Sequence, residues 1–451
     1  MISRICCSST AWKPNTLPTK LSIKITYSSF KPLKGNTTVF PRETKAISTM
    51  STIYNTSHSL RCPIMVVKNT TLFLGRPKKI LSAHGVWPHP NNYIILRKLY
   101  MLFVMWTQYS FLLFEIIYIV DVWGDIDAVS EASYLLFTQA SLCYKSTAFM
   151  VNKKNLIELL GIMDCDIFQP KSAEILAAQA RKIKHLCLFF LTSATTTCTL
   201  WAMIPLFDDA SKRSFPFRIW MPVTPLKSPG YELGYLYQMV SIYISAFLFI
   251  SVDSVAVSMI MFGCAQLEII MDKIQKIQYV LDSAQSEANQ KKVIKTNNEL
   301  LVECIKQHQT VERFIQLCED TYHANIFFQL TGTVAIICNI GLRISIVEPN
   351  SVQFFSMLNY MVTMLSQLFL YCWCGHELTI RSENLREWLY QCPWYEQDTK
   401  FKRALFIAME RMKKPIIFKA GHYISLSRPT FVAILRCSYS YFAVLNRVNT
   451  E

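Results

Sequence analysis

The chain has 451 residues, of which 51% are hydrophobic and 17% charged, and its mean hydropathy is positive. Soluble domains carry about 25% charged residues, so this balance is that of a membrane protein. Glycine is scarce, at 12 residues, and no Gly-rich phosphate loop of the Walker or Rossmann type is present. The net charge of +15 belongs to one end. Residues 1–92 hold 13 of the 46 Lys/Arg and a single acid, Glu43, giving +12, and the remaining residues carry only +3. A nucleic-acid reading of the charge is therefore excluded.

Residues 1–64 are rich in Ser, Thr, Pro and Lys without a helical period. They read as a disordered extension or as something removed. Their basic, acid-poor composition also resembles a transit peptide, and Met65 is an alternative start. Three sequons fall in the N-terminal tail, Asn36-Thr37-Thr38, Asn55-Thr56-Ser57 and Asn69-Thr70-Thr71. They would favour an outside tail, against the charge distribution below.

Seven windows are apolar and long enough to cross a bilayer: 97–121, 133–151, 185–206, 234–264, 322–347, 353–375 and 426–447. Glu115, Lys145, Asp253, Arg343 and Arg436 lie inside or near them. An ionisable residue at the centre of a membrane helix costs about 2.5–3.5 kcal/mol on insertion scales. Such helices are expected to pack around a polar interior. Asp253 is expected to bond a neighbouring helix, or else to pair with a basic group or touch permeating ions. The acids Asp121, Asp125, Asp127 and Glu131 of the first outer loop either raise the local cation concentration or form a solvated loop.

Lys and Arg set the orientation. With the N-terminus inside, segments 1–96, 152–184, 265–321 and 376–425 are cytoplasmic and hold 35 of the 46 basic residues. The fold class is thus an all-α membrane protein of seven transmembrane helices, N-terminus cytoplasmic and C-terminus extracellular. A metabotropic seven-helix receptor, with the opposite orientation, is disfavoured. Leu267, Ile270, Ile274, Ile277 and Leu281 repeat at steps of 3 and 4, one apolar stripe on a helix continuing below the membrane. That stripe serves either packing within the chain or a subunit contact. It points to helical cytosolic extensions forming an anchor domain. The division is then 1–64 as extension, 65–425 as six-helix ligand-binding and anchor region, and 426–451 as seventh helix and outer tail.

None of the 15 cysteines falls in an outer loop, so no disulfide framework is expected, and Cys372 and Cys374 read as packing residues. No GxSxG elbow or HExxH is present, and His308, His323, His376 and His422 are scattered. No catalytic residue, metal site or cofactor is expected, and a transporter's two related halves are not visible. The last window keeps Ser438, Tyr439, Ser440, Tyr441 and Arg436 within apolar sequence, as a helix lining an aqueous path would.

Several ordered pieces carry a resemblance. They are Gly85-Val86-Trp87-Pro88, Phe369-Leu370-Tyr371-Cys372-Trp373-Cys374-Gly375, Ser382-Glu383-Asn384-Leu385 and Trp394-Tyr395. Lys414-Pro415, Ala420-Gly421, Leu426-Ser427, Phe431 and Ser440-Tyr441-Phe442-Ala443-Val444-Leu445 complete the set. Over about 81–451 the chain resembles an insect odorant receptor of the divergent, ligand-tuned class, hymenopteran-like, rather than the shared co-receptor. The related gustatory receptors usually end in Thr-Tyr, five residues, Gln-Phe, and this chain lacks the Gln-Phe.

The resemblance implies a ligand-gated, non-selective cation channel in the cell membrane, a heterotetramer with the insect odorant co-receptor and no G protein. The seventh helix would line the pore, with the hydrophobic gate at Val444 and Val448, where a ring of apolar side chains blocks ions by dewetting. The odorant, a small and mostly apolar volatile, would sit in the outer half of the membrane among the second, third, fourth and sixth helices. The family's spacing places that pocket on Ala194, Thr197 and Trp201, with Leu142 and Lys145 on the second helix and Phe355 and Asn359 on the sixth. Trp394 and Tyr395 would serve subunit assembly.

Overall fold

A computed structural model of the chain describes residues 69–88, 94–168, 173–207, 215–222, 228–280, 287–349 and 351–450. Ten helices follow in order: α1 (Asn69–Ala83), α2 (Ile94–Asp121), α3 (Ile126–Val151), α4 (Lys153–Met163), α5 (Ala173–Phe207), α6 (Gly230–Gln275), α7 (Glu287–Ile346), α8 (Val352–Gln391), α9 (Thr399–Arg411) and α10 (Arg428–Thr450). The described sheet is one two-stranded hairpin, β1 (Lys419–Ala420) and β2 (Ile424–Ser425), pairing Lys419 with Ser425 and Ala420 with Ile424. The expected extension 1–64 and Leu281 lie outside the described residues.

The seven expected spans are helices α2, α3, α5, α6, α7, α8 and α10. By length and hydropathy five of the described helices qualify as spans, namely α2, α5, α6, α7 and α8. The other two carry polar groups that lower their hydropathy: α3 buries Gln139, Ser141, Lys145 and Ser146, and α10 holds Arg436, Ser438 and Ser440.

Three helices outrun the bilayer furthest. At 1.5 Å per residue the 60 residues of α7 reach about 90 Å, and the hydrocarbon core is about 30 Å thick. The 46 residues of α6 and the 40 of α8 also overshoot it. Their lower ends, with α9, form a second packed layer. Leu267, Ile270 and Ile274 of α6 join Phe314 and Ile315 of α7, Leu378 and Leu385 of α8, and Phe401 and Leu405 of α9 in one continuous core. The apolar stripe from Leu267 therefore packs within its own chain, and its helix ends at Gln275, with Ile277 buried just beyond.

Helix ends carry their own signals. The Ser351 hydroxyl accepts from the Phe354 N–H at 3.0 Å and starts α8, and the Asp398 carboxylate accepts from the Phe401 N–H at 3.0 Å and starts α9. Asp125 caps α3 through the Ala128 N–H. At the end of α1, Gly85 takes φ +75° and the N–H groups of Val86 and Trp87 turn back to the Leu81 carbonyl. Helix α1 lies outside the expected elements. Its Asn69 is 5% exposed and donates to the Met163 and Phe168 carbonyls, so the third sequon asparagine is sequestered.

The motifs near the C-terminus build the junction beneath α10. A Cβ at Gly375 would collide with Leu426 Cβ and lie 2.7 Å from the Leu426 carbonyl oxygen, so only glycine lets α8 approach that segment. Ser382 accepts from the Ile416 N–H at 3.0 Å, and the Gly421 N–H donates to the His323 carbonyl of α7 at 3.0 Å. Eleven of the described cysteines form no disulfide, including Cys372 and Cys374, both fully buried. Cys165 departs from the expectation, being disulfide-bonded.

Candidate functional site

Helix α6 is apolar all round and is the hub: 83% of its most apolar window is buried, against 39% for α2 and 28% for α5. Helices α5, α8, α7, α1 and α3 pack around it. Where α3, α5, α6 and α8 fail to close completely, they leave a cavity of about 70 Å³. Helix α3 contributes Leu135, Thr138, Gln139 and Leu142; α5 contributes Phe190, Ala194, Thr197, Cys198 and Trp201. Helix α6 supplies Ile242, Ser245, Ala246, Phe249 and Ile250, and α8 supplies Tyr360, Thr363, Met364 and Gln367.

One wall is aromatic. The Trp201 ring lies 5.2 Å from Phe217 in an edge-to-face arrangement and 5.3 Å from Tyr360. The polar groups are tied back into the protein. Gln139 donates to Gln108 Oε1 at 3.0 Å and accepts from the Ser245 hydroxyl at 3.0 Å. Thr138 meets the Tyr360 hydroxyl, and Asn359 donates to Thr197 Oγ1 at 2.7 Å. The result is a mostly apolar chamber with a hydrogen-bonded frame.

Beside the chamber sits a buried ion pair. Lys145 Nζ contacts both oxygens of Asp253, at 2.7 and 2.8 Å, and Gln367 also donates to that carboxylate. Gln329 of α7 donates to Gln367 at 3.4 Å. The ammonium also lies 3.8 Å from the centre of the Phe249 ring, so it supports a cavity wall from behind. Asp253 thus bonds neighbouring helices through a basic partner and an amide together.

Of the seven residues expected to bind ligand, the structure brings four to the cavity, Leu142, Ala194, Thr197 and Trp201. Lys145 is held in the ion pair. Asn359 stands at the edge, bonded to Thr197 and to the Ser193 carbonyl. Phe355 is 50% exposed on the outer side of α8. The face of α8 turned to the cavity runs Tyr360, Thr363, Met364, Gln367, a register one residue past Asn359, and each residue turns a helix by about 100°. The same 3-and-4 spacing, carried from Leu142 back to Leu135 and from Ala194 back to Phe190, would have reached residues that sequence reasoning missed.

The other expected sites lie elsewhere. Helix α10 packs on α7 and α8, with Phe442 against Gly341, and leaves Tyr439, Tyr441, Leu445 and Val444 exposed, Val444 by 62%. The Val448 side chain lies outside the described residues. Trp394 packs within the chain, 5.7 Å from Phe406, while Tyr395 beside it is 58% exposed. No cluster of three metal-ligating side chains occurs among the described residues.

The architecture is a long-helix membrane bundle with an apolar chamber between four of its helices. Residues 125–439 match the family described as 7tm Odorant receptor, and the chain belongs to that family. It is 25% identical over 395 residues to odorant receptor Or1 of Anopheles gambiae, covering 82% of this chain and 94% of that receptor. With odorant receptor 46a, isoform A, of Drosophila melanogaster it shares 26% identity over 401 residues, covering 85% of this chain and 100% of the relative. The solved structure of the insect olfactory receptor OR5 from Machilis hrabei in complex with eugenol superposes with a TM-score of 0.68 at 15% identity, over 83% of this chain and 97% of that one. The fold is thereby that of the insect olfactory receptors.

Proposed function

We propose that this chain is the odorant-binding subunit of a non-selective cation channel that it forms with the insect odorant co-receptor. The observation that carries the reading is the apolar chamber among α3, α5, α6 and α8, walled by Trp201, Tyr360 and Phe249. A small volatile ligand buried there would change how α8 packs on α6 and α7. Because α10 leans on α7 and α8, that repacking reaches the helix whose exposed face carries Val444. In a tetramer the Val444 and Val448 rings would gate the pore by dewetting, and the helices would part on opening. Trp394 and Tyr395, on the cytosolic layer, would serve the contact between subunits. The site of action is the cell membrane of a sensory neuron, in its dendrite, and no G protein takes part.

The test is voltage-clamp recording of the full chain, expressed with and without the odorant co-receptor, against a broad panel of volatiles. A passive current reversing near zero voltage that needs both co-receptor and ligand supports the reading. Surface-delivered protein that gives no current with any volatile would overturn it, and current without the co-receptor would leave only the self-sufficient channel.

A further inference from the structure

Every polar side chain that lines the chamber has a partner within the protein, with one exception. Thr138 donates to the Tyr134 carbonyl at 3.0 Å, Thr197 to the Ser193 carbonyl at 3.1 Å, and Thr363 to the Asn359 carbonyl at 2.8 Å. Ser245 donates to the Ser241 carbonyl at 2.8 Å. Gln139 bonds Gln108, and Gln367 bonds Asp253 and Gln329. The exception is the indole Nε1–H of Trp201. That residue is only 4% exposed, lines the chamber, and its nitrogen meets no acceptor.

An indole nitrogen is a donor and nothing else. A buried donor left without an acceptor costs about 1–3 kcal/mol, and such groups are rare enough that each one needs a reason. We infer that the ligand supplies the missing acceptor: it is a small apolar molecule carrying a carbonyl oxygen, a ketone, aldehyde or ester, that accepts a hydrogen bond from Trp201 Nε1. This rests on the odorant-binding reading above and narrows it to a chemical class. An alkane leaves the donor unmatched. An alcohol satisfies it but must bring its own O–H into a chamber whose acceptors already have partners. A carbonyl oxygen accepts and adds no donor. The order of potency on one carbon skeleton is therefore ketone or ester, then alcohol, then alkane.

The experiment replaces Trp201 with 3-benzothienylalanine, which keeps the bicyclic shape and puts sulfur where the N–H stood. The residue is introduced by nonsense suppression into the full chain, expressed with the co-receptor. Dose–response curves are recorded for matched ketone, alcohol and alkane sets on several straight-chain and monocyclic skeletons, and binding of the same sets to the purified protein is measured by equilibrium dialysis. The expected result is a roughly tenfold loss of potency for ketones and esters with the alkanes unchanged. Equal potency of ketone and alkane in the unmodified protein, or an equal shift of all three classes in the variant, overturns the inference. If currents are absent but dialysis keeps the ketone preference and its loss in the variant, the channel reading fails and the acceptor inference stands. If dialysis finds no binding of any set, both fall.

Discussion

Helices α6 and α10 are both read from the sequence as membrane spans, yet the chain treats them in opposite ways. Helix α6 is enclosed by its neighbours and buries residues on every side, from Gly234 to Ile274. Helix α10 rests on α7 and α8 and turns Tyr439, Tyr441, Val444 and Leu445 outward. The first is a finished core built by one chain. The second, with arginines and serines spaced along it, keeps an exposed face. The packed core and the cavity accordingly lie around α6, and on the reading proposed above α10 acts through what it meets outside its own chain.

The sharpest way to break this contrast is to attack the ion pair that joins α3 to α6. Lys145→Met strands the Asp253 carboxylate in a site where the pair is almost fully buried. Removing one partner of a buried pair costs about 3–5 kcal/mol, so surface delivery measured by biotinylation is expected to collapse. The double variant Lys145→Met with Asp253→Leu is expected to recover most of it. If the single variant reaches the surface normally, the pair does not hold the bundle together.

Next in size is Gly375→Val, which places side-chain atoms where Leu426 already stands. Melting of the detergent-purified protein is expected to drop by several degrees, from strain of about 1–3 kcal/mol. An unchanged melting temperature would mean that the junction beneath α10 is loose.

On α10 itself the expectation reverses. Val444→Ala trims a residue that is 62% exposed, so melting and surface delivery of the single chain should hold within about 0.5 kcal/mol. The co-expressed channel should nevertheless leak without ligand, read as holding current. Lost delivery would show that α10 is core after all.

A further effect, confined to acid pH, concerns the cytosolic layer. His308 of α7 is pushed down to about 4 by burial, with the Arg411 charge adding to it. It is neutral in the folded protein, whereas the unfolded chain takes up the proton near 6.5. Stability is therefore full above that unfolded value and falls as pH drops toward the folded one, where the native state must charge a buried ring. Melting curves of the purified protein, taken from neutral pH down into the acid range, should show a decline that His308→Phe reduces.

Much of the architecture was legible from local pattern. The seven apolar windows fell on seven of the described helices, five of which have the length and hydropathy that crossing a bilayer demands. Helix boundaries were less so. The 60 residues of α7 begin in polar sequence, Ala288-Asn289-Gln290-Lys291-Lys292, where helix propensity rather than hydropathy carries the helix. Helix α1 was missed because its apolar face answers to α6 and α5 rather than to a membrane, and it contains Pro77.

The candidate site was half legible. Ala194, Thr197 and Trp201 share a face by spacing, and the structure turns that face to the chamber. On α8 the resemblance pointed to Phe355 and Asn359, because a family's pattern carried onto one chain identifies a stretch of helix without fixing which face meets which neighbour. Tyr360 and Gln367 joined the chamber only when α8 was seen against α5 and α6.

By itself the sequence determined the class, the number of spans and their charge orientation, since hydropathy and Lys/Arg placement act residue by residue. Only the tertiary structure decided that Lys145 meets Asp253 rather than a ligand, that Gly375 makes room for Leu426, and that Trp201 is left with an unmatched donor. Those outcomes depend on which helices touch and in what register. A contact of a few ångströms between residues far apart in the chain is not encoded in any local pattern.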